Sequence, residues 1–150
     1  VGRAPLKAVV QRVSGASVRV AGECVGEIGP GLLVLLGLDR GDDQAAAQRM
    51  VERLLAYRLF PDDAGRMNRS VTDTGGGVLL VSQFTLSADT RKGLRPGFSS
   101  AMPPVEAEAL YGRVLDMLCE RHAKVAGGRF GADMQVALVN DGPVTFWLSG

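Results

Sequence analysis

The segment Leu32-Leu33-Val34-Leu35-Leu36-Gly37-Leu38 constrains this chain most. It is a continuous apolar run, too short for a helix and bounded upstream by the breakers Gly29-Pro30-Gly31. Such a run reads as a central strand, and Val78 to Val81, entered through Gly75-Gly76-Gly77, reads as a second. Lys7 to Val13 and Ala16 to Val20 carry β-branched residues and polar–apolar alternation, as half-buried strands do. Shorter strands are expected at Cys24 to Ile28 and Arg58 to Phe60, and a tight turn at Asp62 to Gly65. Met134 to Val139 and Val144 to Leu148 are read as two strands joined by a turn at Asp141-Gly142-Pro143.

Only two segments carry helical periodicity. Asp42 to Tyr57 puts Met50, Val51, Leu54 and Leu55 on one face, with Asp42 or Asp43 as cap. Val105 to His122 puts Leu110, Val114 and Leu118 inward. Mostly strands with two separated amphipathic helices, and no βαβ repetition, give a single α+β domain with mainly antiparallel sheet. The domain is expected over residues 7–150, with residues 1–6 an N-terminal extension or alternative start. No repeat, linker or low-complexity segment breaks it.

Composition excludes several classes. The 150 residues carry a formal net charge of +1, so nucleic acid is not held by bulk charge and any RNA contact needs a local basic patch. No apolar run approaches the roughly 20 residues that span a bilayer. The N-terminal residues show no signal-peptide core, which makes the cytoplasm the expected compartment. Cys24 and Cys119 form neither metal spacing nor a disulfide framework and are read as reduced thiols. His122, the one histidine, ends an amphipathic helix, and nothing near it looks like a nucleophile turn. There is no phosphate-binding GxxxxGK[ST] loop, and neither a metal nor a cofactor is expected. An enzyme built this way lacks a strong general base and suits an activated substrate.

Three segments carry chemistry. Ser82-Gln83-Phe84-Thr85-Leu86 leaves the end of the strand Val78 to Val81 with two hydroxyls, an amide and a ring, which fits a pocket floor; a strand edge with capping Ser and Thr is the bland alternative. Asp89 to Phe98 is a loop holding Arg91, Lys92 and Arg95, either a solvated surface or a phosphate contact beside the chemistry. Asn140 to Thr145 is a turn whose Gly142-Pro143 carbonyls, in a cis bond, would point the same way and could accept hydrogen bonds from an ammonium. The eight aromatics of the chain (five Phe, two Tyr, one Trp) show no stacking platform in sequence.

These segments resemble the D-aminoacyl-tRNA deacylase family, formerly called D-tyrosyl-tRNA deacylase. The match runs from Lys7 to Leu148 through Lys7 to Val13, Gly26 to Gly31, Met67 to Val71, Ser82 to Leu86, Arg129 to Met134 and Asn140 to Thr145. The resemblance implies hydrolysis of the ester of D-aminoacyl-tRNA, and of misplaced glycyl-tRNA, as chiral proofreading in translation by a homodimer. It implies tRNA as partner, with no DNA and no membrane. Ser82, Gln83, Phe84 and Thr85 would form the catalytic pocket for the 3′-terminal adenosine, with the Phe84 and Thr85 backbone amides on the oxyanion. Leu86 would bind substrate. Gly142 and Pro143 would be a cis dipeptide from the partner subunit, oriented by Arg12 and Met134. Arg91, Lys92 and Arg95 would bind tRNA. Thr85 matches a threonine once proposed as nucleophile; the alternative gives that part to main-chain groups and the adenosine 2′-hydroxyl. Ser87 and Gly97 depart from the family pattern. An aminoacyl ester is already activated, so positioning and oxyanion donors can carry its hydrolysis. The rival readings are a non-catalytic RNA-binding domain, supported by the loop Arg91 to Arg95, and a dimerisation domain, which leaves the polar exit Ser82 to Thr85 unexplained.

Overall fold

The computed structural model describes residues 6–149. The elements in order are β1 (Lys7–Val20), β2 (Glu23–Ile28), β3 (Gly31–Gly37), α1 (Gln44–Ala56), β4 (Phe60–Pro61), β5 (Met67–Arg69), α2 (Val71–Thr74), β6 (Gly77–Ser82), a 3-10 turn (Phe84–Ser87), α3 (Pro104–Arg121), β7 (Val125–Gly127) and β8 (Met134–Ser149). The expected α+β class holds. The first half of β1 pairs antiparallel with β3, its second half with β2, and β8 runs antiparallel along β1. The pairs β3–β6 and β6–β7 are parallel. A Cβ at Gly26 in β2 would meet the Gly127 carbonyl of β7 at 2.4 Å, so the two ends of the sheet curl together as in a barrel.

Both faces of the central strands are covered, which is why their sequence is apolar throughout. Leu32, Val34 and Leu36 of β3 and Val78 and Leu80 of β6 pack toward α1 and α3. Leu33, Leu79 and Val81 pack in the other cluster, inside the curled sheet, with Val13, Ala16 and Val18 of β1. The alternation follows the two-residue period of a strand. Each such side chain contributes roughly 1.5–3 kcal/mol by its burial, so a charge at Leu80 would disrupt the layer packed against α1 and α3. Asp43 caps α1 by accepting from the Ala46 amide at 2.9 Å, and α1 buries Met50, Val51, Leu54 and Leu55 as its periodicity requires. Pro103 and Pro104 open α3, which buries Ala107, Leu110, Tyr111, Val114 and Leu118.

Four local expectations are corrected. Lys7–Val13 and Ala16–Val20 are one strand, because β8 pairs across Ser14–Gly15 through register shifts. Met134–Val139 and Val144–Leu148 are likewise one strand, with the turn-like Asp141-Gly142-Pro143 absorbed as an irregularity opposite those shifts. The short helix α2 and the strands β5 and β7 were not foreseen; α2 is closed by a capping box in which Ser70 and Asp73 exchange hydrogen bonds. Leu6 is fully buried, so the core begins one residue before the expected boundary, while residues 1–5 of the expected extension lie outside the described residues. No helix among the described residues is long and apolar enough to cross a membrane.

Candidate active site

At its C-terminal end β6 pairs Ser82 with Leu36, and there the chain leaves the sheet. The Gln83 amide still donates to the Leu36 carbonyl at 2.7 Å, and the Leu86 amide closes the 3-10 turn onto Gln83 at 3.1 Å. The amides of Phe84 and Thr85, the first in that turn, have no partner within it. The turn seats on Gly37: a Cβ there would lie 2.8 Å from the Cβ of Leu86. Leu86, expected to bind substrate, therefore packs on β3 and does not line the cavity.

A cavity of about 260 Å³ opens at this point. Its floor is Leu36, Val81, Ser82, Gln83 and Phe84. Its far wall is Phe130, Gly131, Ala132, Met134 and Val136, where the chain turns into β8. Leu38, Met102 and Ala107 close the side toward α3. None of these side chains titrates, so the cavity contains no acid or base of its own. The wall is fixed from behind: the buried Tyr111 hydroxyl donates to the Leu80 carbonyl at 2.7 Å, and its ring lies 6.0 Å from that of Phe130. Burial pushes the Tyr111 hydroxyl above its ordinary pKa, so it stays protonated. Phe130 to Ala132 carry no local signal of a wall; their place in it depends on a turn that brings the start of β8 across the end of β6.

Two candidate general bases, His122 and Asp89, are engaged elsewhere. His122 Nε2 meets the Gly76 carbonyl at 2.6 Å, and Gly76 precedes β6 at the end opposite Ser82. Asp89 is gripped by Arg91, whose Nε and Nη2 donate to its two oxygens at 3.0 and 2.9 Å. Hydrogen bonds from the Arg91 side chain and amide hold the Asp89 carboxyl down at about 2, far too acidic to take a proton at neutral pH. Thr85 is exposed, and its hydroxyl accepts a hydrogen bond from the Gln83 side-chain amide, a donor that cannot act as a base.

The basic loop is clamped at its base. Asp89 and Gly97 exchange backbone hydrogen bonds at 2.7 and 2.9 Å. Buried Ser87 donates to the Leu38 carbonyl at 3.2 Å, and Ser100 donates to the Ser87 carbonyl at 2.9 Å. Arg40 adds its Nε to the Ser99 carbonyl at 2.7 Å. Ser87, one of the two departures from the family pattern, thus links the pocket turn to the loop. Lys92 and Arg95 are exposed and Arg91, expected to bind phosphate with them, is exposed as well but pairs with Asp89. Phe84, 62% exposed, lines the cavity, and Phe98, 37% exposed, meets it outside that lining with ring centroids 5.1 Å apart. The sequence alone showed no such aromatic pair.

The segment Asn140 to Thr145 within β8 is braced by its own hydrogen bonds. Asn140 Nδ2 donates to Thr145 Oγ1 at 2.8 Å, and the Val144 amide donates to Asn140 Oδ1 at 3.0 Å. Arg12 Nε donates to the Asp141 carbonyl at 3.0 Å and its Nη1 to the Leu59 carbonyl at 2.9 Å. Gly142 has φ +123°, and a Cβ there would lie 2.5 Å from Arg12 Nη2, so only glycine fits. Asp141, Gly142 and Pro143 are exposed. The expected cis Gly142-Pro143 bond is corrected: no described peptide bond is cis. Trans is the intrinsic preference of such a bond by about 0.5–1 kcal/mol, and the contacts of Arg12 are compatible with it. Neither Gly142 nor Pro143 lines the cavity of their own chain.

The family description D-Tyr-tRNA(Tyr) deacylase matches residues 9–149. The chain belongs to that deacylase family. A D-aminoacyl-tRNA deacylase of Stutzerimonas stutzeri is 62% identical over 143 residues, covering 95% of this chain and 99% of the relative. The deacylase of Azotobacter vinelandii matches at the same identity and coverage, 62%, 95% and 99%. Among solved structures, one titled c-Myc DNA Unwinding Element Binding Protein is 44% identical with a TM-score of 0.92, covering 96% of this chain and 98% of its own. A probable eukaryotic D-amino acid tRNA deacylase superposes with a TM-score of 0.86 over 97% of this chain and 99% of its own, at 17% identity, which speaks for the deacylase fold alone.

Proposed function

We propose that this deacylase-family chain hydrolyses the ester between a D-amino acid and the 3′-terminal adenosine of tRNA, releasing both. Family membership supports the reaction, and one observation carries the mechanism: the cavity at the end of β6 has hydrogen-bonding groups but no titratable side chain. Such a site suits an ester that needs positioning more than proton abstraction. The Phe84 and Thr85 amides are the donors for the oxyanion, with Ser82 and Gln83 polar on the floor. The substrate's 2′-hydroxyl orients the attacking water.

We read the active unit as a homodimer in the cytoplasm. The exposed Gly142-Pro143 segment of one subunit enters the cavity of its partner and excludes an L side chain there. Support comes from the hydrogen bonds that brace that segment, its absence from the lining of its own cavity, and the exposed apolar residues Leu138, Val139 and Trp147 on β8, which pairs only with β1 among the described strands. Glycine, with no side chain to exclude, is a further substrate. DNA and a membrane surface have no part in this reading. Deacylation of D- and L-tyrosyl-tRNA tests this: release of D-tyrosine with the L-ester spared is expected, and equal rates on both reject the reading.

A further inference from the structure

Phe84 and Phe98, apart in sequence, form a tilted pair at 52° that stays open to solvent. Phe84 lines the cavity and Phe98 does not. Phe98 is held against Phe84 by the clamp at the base of the loop, through Asp89 with Gly97 and Ser100 with Ser87. Exposed Lys92 and Arg95 lie on the same loop and have no ion pair among the described residues. Preorganised rings beside unpaired cations make the composite that binds single-stranded nucleic acid, with rings for bases and cations for phosphates.

We propose that Phe84 and Phe98 form a stacking platform for the base of the nucleotide that precedes the terminal adenosine, with Lys92 and Arg95 on the adjoining phosphates. This rests on the deacylase reading, in which the terminal nucleoside occupies the cavity. The next base must then lie outside it, on the side where Phe98 extends the ring surface begun by Phe84. Stacking accepts any base through its π face, so the platform holds the end of the strand without reading it.

Deacylation of D-tyrosyl-tRNA and of D-tyrosyl-adenosine, which lacks the preceding nucleotide, by Phe98→Ala, Phe98→Leu and Phe98→Trp tests the platform. Phe98→Ala and Phe98→Leu are expected to raise KM for the tRNA roughly 5- to 100-fold, with kcat within about twofold. Phe98→Trp restores the wild-type KM, and the losses are confined to the substrate that carries the preceding nucleotide. An unchanged KM in Phe98→Ala, equal losses on both substrates, or Phe98→Leu performing as well as Phe98→Trp overturns the proposal. So does a loss of subunit association that tracks the rise in KM, because the ring would then belong to a contact between chains. A wild-type chain inactive on both substrates is a separate result; it removes the deacylase reading and the platform with it.

Discussion

Arg12 lies midway along the pairing between β1 and β8 and binds the Asp141 carbonyl beside the bulge, while Met134, the register partner of Val20, lies at one end of it. Eight residue steps along β1 separate Arg12 from Val20, on the order of 25 Å. Arg12 therefore fixes the Gly142-Pro143 turn of its own chain, and Met134 lines a cavity which that turn does not enter. In the proposed dimer, the two residues meet one dipeptide from two subunits.

That arrangement predicts complementation. Gly142→Val disrupts the turn against Arg12, and Ala132→Trp fills the cavity; each alone should be inactive. After subunit exchange, mixed dimers have one site with both defects and one with neither, so an equal mixture should recover about a quarter of wild-type activity. Zero recovery at every mixing ratio, with exchange confirmed by mass, would mean each chain carries its own complete site.

The Asp89–Arg91 pair predicts that the three loop cations are unequal. Lys92→Ala with Arg95→Ala should flatten the dependence of log affinity for tRNA on log salt by about 1.4, at roughly 0.7 per single-strand phosphate contact. Arg91→Ala should change it little, and Asp89→Asn, by releasing Arg91, should steepen it. Because the Asp89 carboxyl is depressed to about 2 from 3.8, the latch is complete above 3.8 and is lost only as pH falls through about 2. Affinity measured from pH 5 to 8 should show no step from this group. A fall in slope with Arg91→Ala as large as with Lys92→Ala would return Arg91 to the phosphate contacts.

Tyr111 predicts an alkaline signature. Its folded pKa is raised above the ordinary 10.0 by burial, so its contribution is full below 10 and is lost as pH rises through the raised value. Tyr111→Phe should cost about 1 kcal/mol at neutral pH through the lost hydrogen bond to Leu80. The gap in melting temperature between wild type and variant should then narrow above pH 10. A gap constant up to pH 11 would contradict the assignment.

The parts of this fold that could be read in advance are those where one physical demand acts locally. Leu32 to Leu38 and Val78 to Val81 are apolar because both faces of their strands are covered, and α1 and α3 show their buried stripes. What stayed hidden depends on distant partners. Asp141-Gly142-Pro143 has the composition of a turn, yet β1 pairs on both sides of it and makes β8 one strand. Ser82 to Thr85 was legible as a polar exit from a buried strand, whereas the wall Phe130 to Ala132 and the partnership of Phe84 with Phe98 exist only once β7, β8 and the loop are folded over it. Arg91 looked like its neighbours in sequence; its bidentate grip on Asp89 is a property of the loop's closed base.

Thr85 separates two mechanisms for the same cavity. A nucleophilic threonine needs a partner that removes its proton, because a free hydroxyl is weak at neutral pH. The structure gives the Thr85 hydroxyl the Gln83 amide instead, places His122 at the far end of β6, and locks Asp89 in its ionised form. Thr85→Ala should therefore retain kcat within about tenfold, since it removes one hydroxyl from a site whose oxyanion donors are main-chain amides. D-Tyrosyl-tRNA ending in 2′-deoxyadenosine should lose most of its rate, because the hydroxyl that orients water is gone. Gly37→Ala, which forces Leu86 and the 3-10 turn off β3, should lower kcat more than Thr85→Ala although it touches no substrate. An inactive Thr85→Ala together with a cleaved deoxy substrate, or an acyl group trapped on Thr85, would establish the nucleophilic route and remove this one.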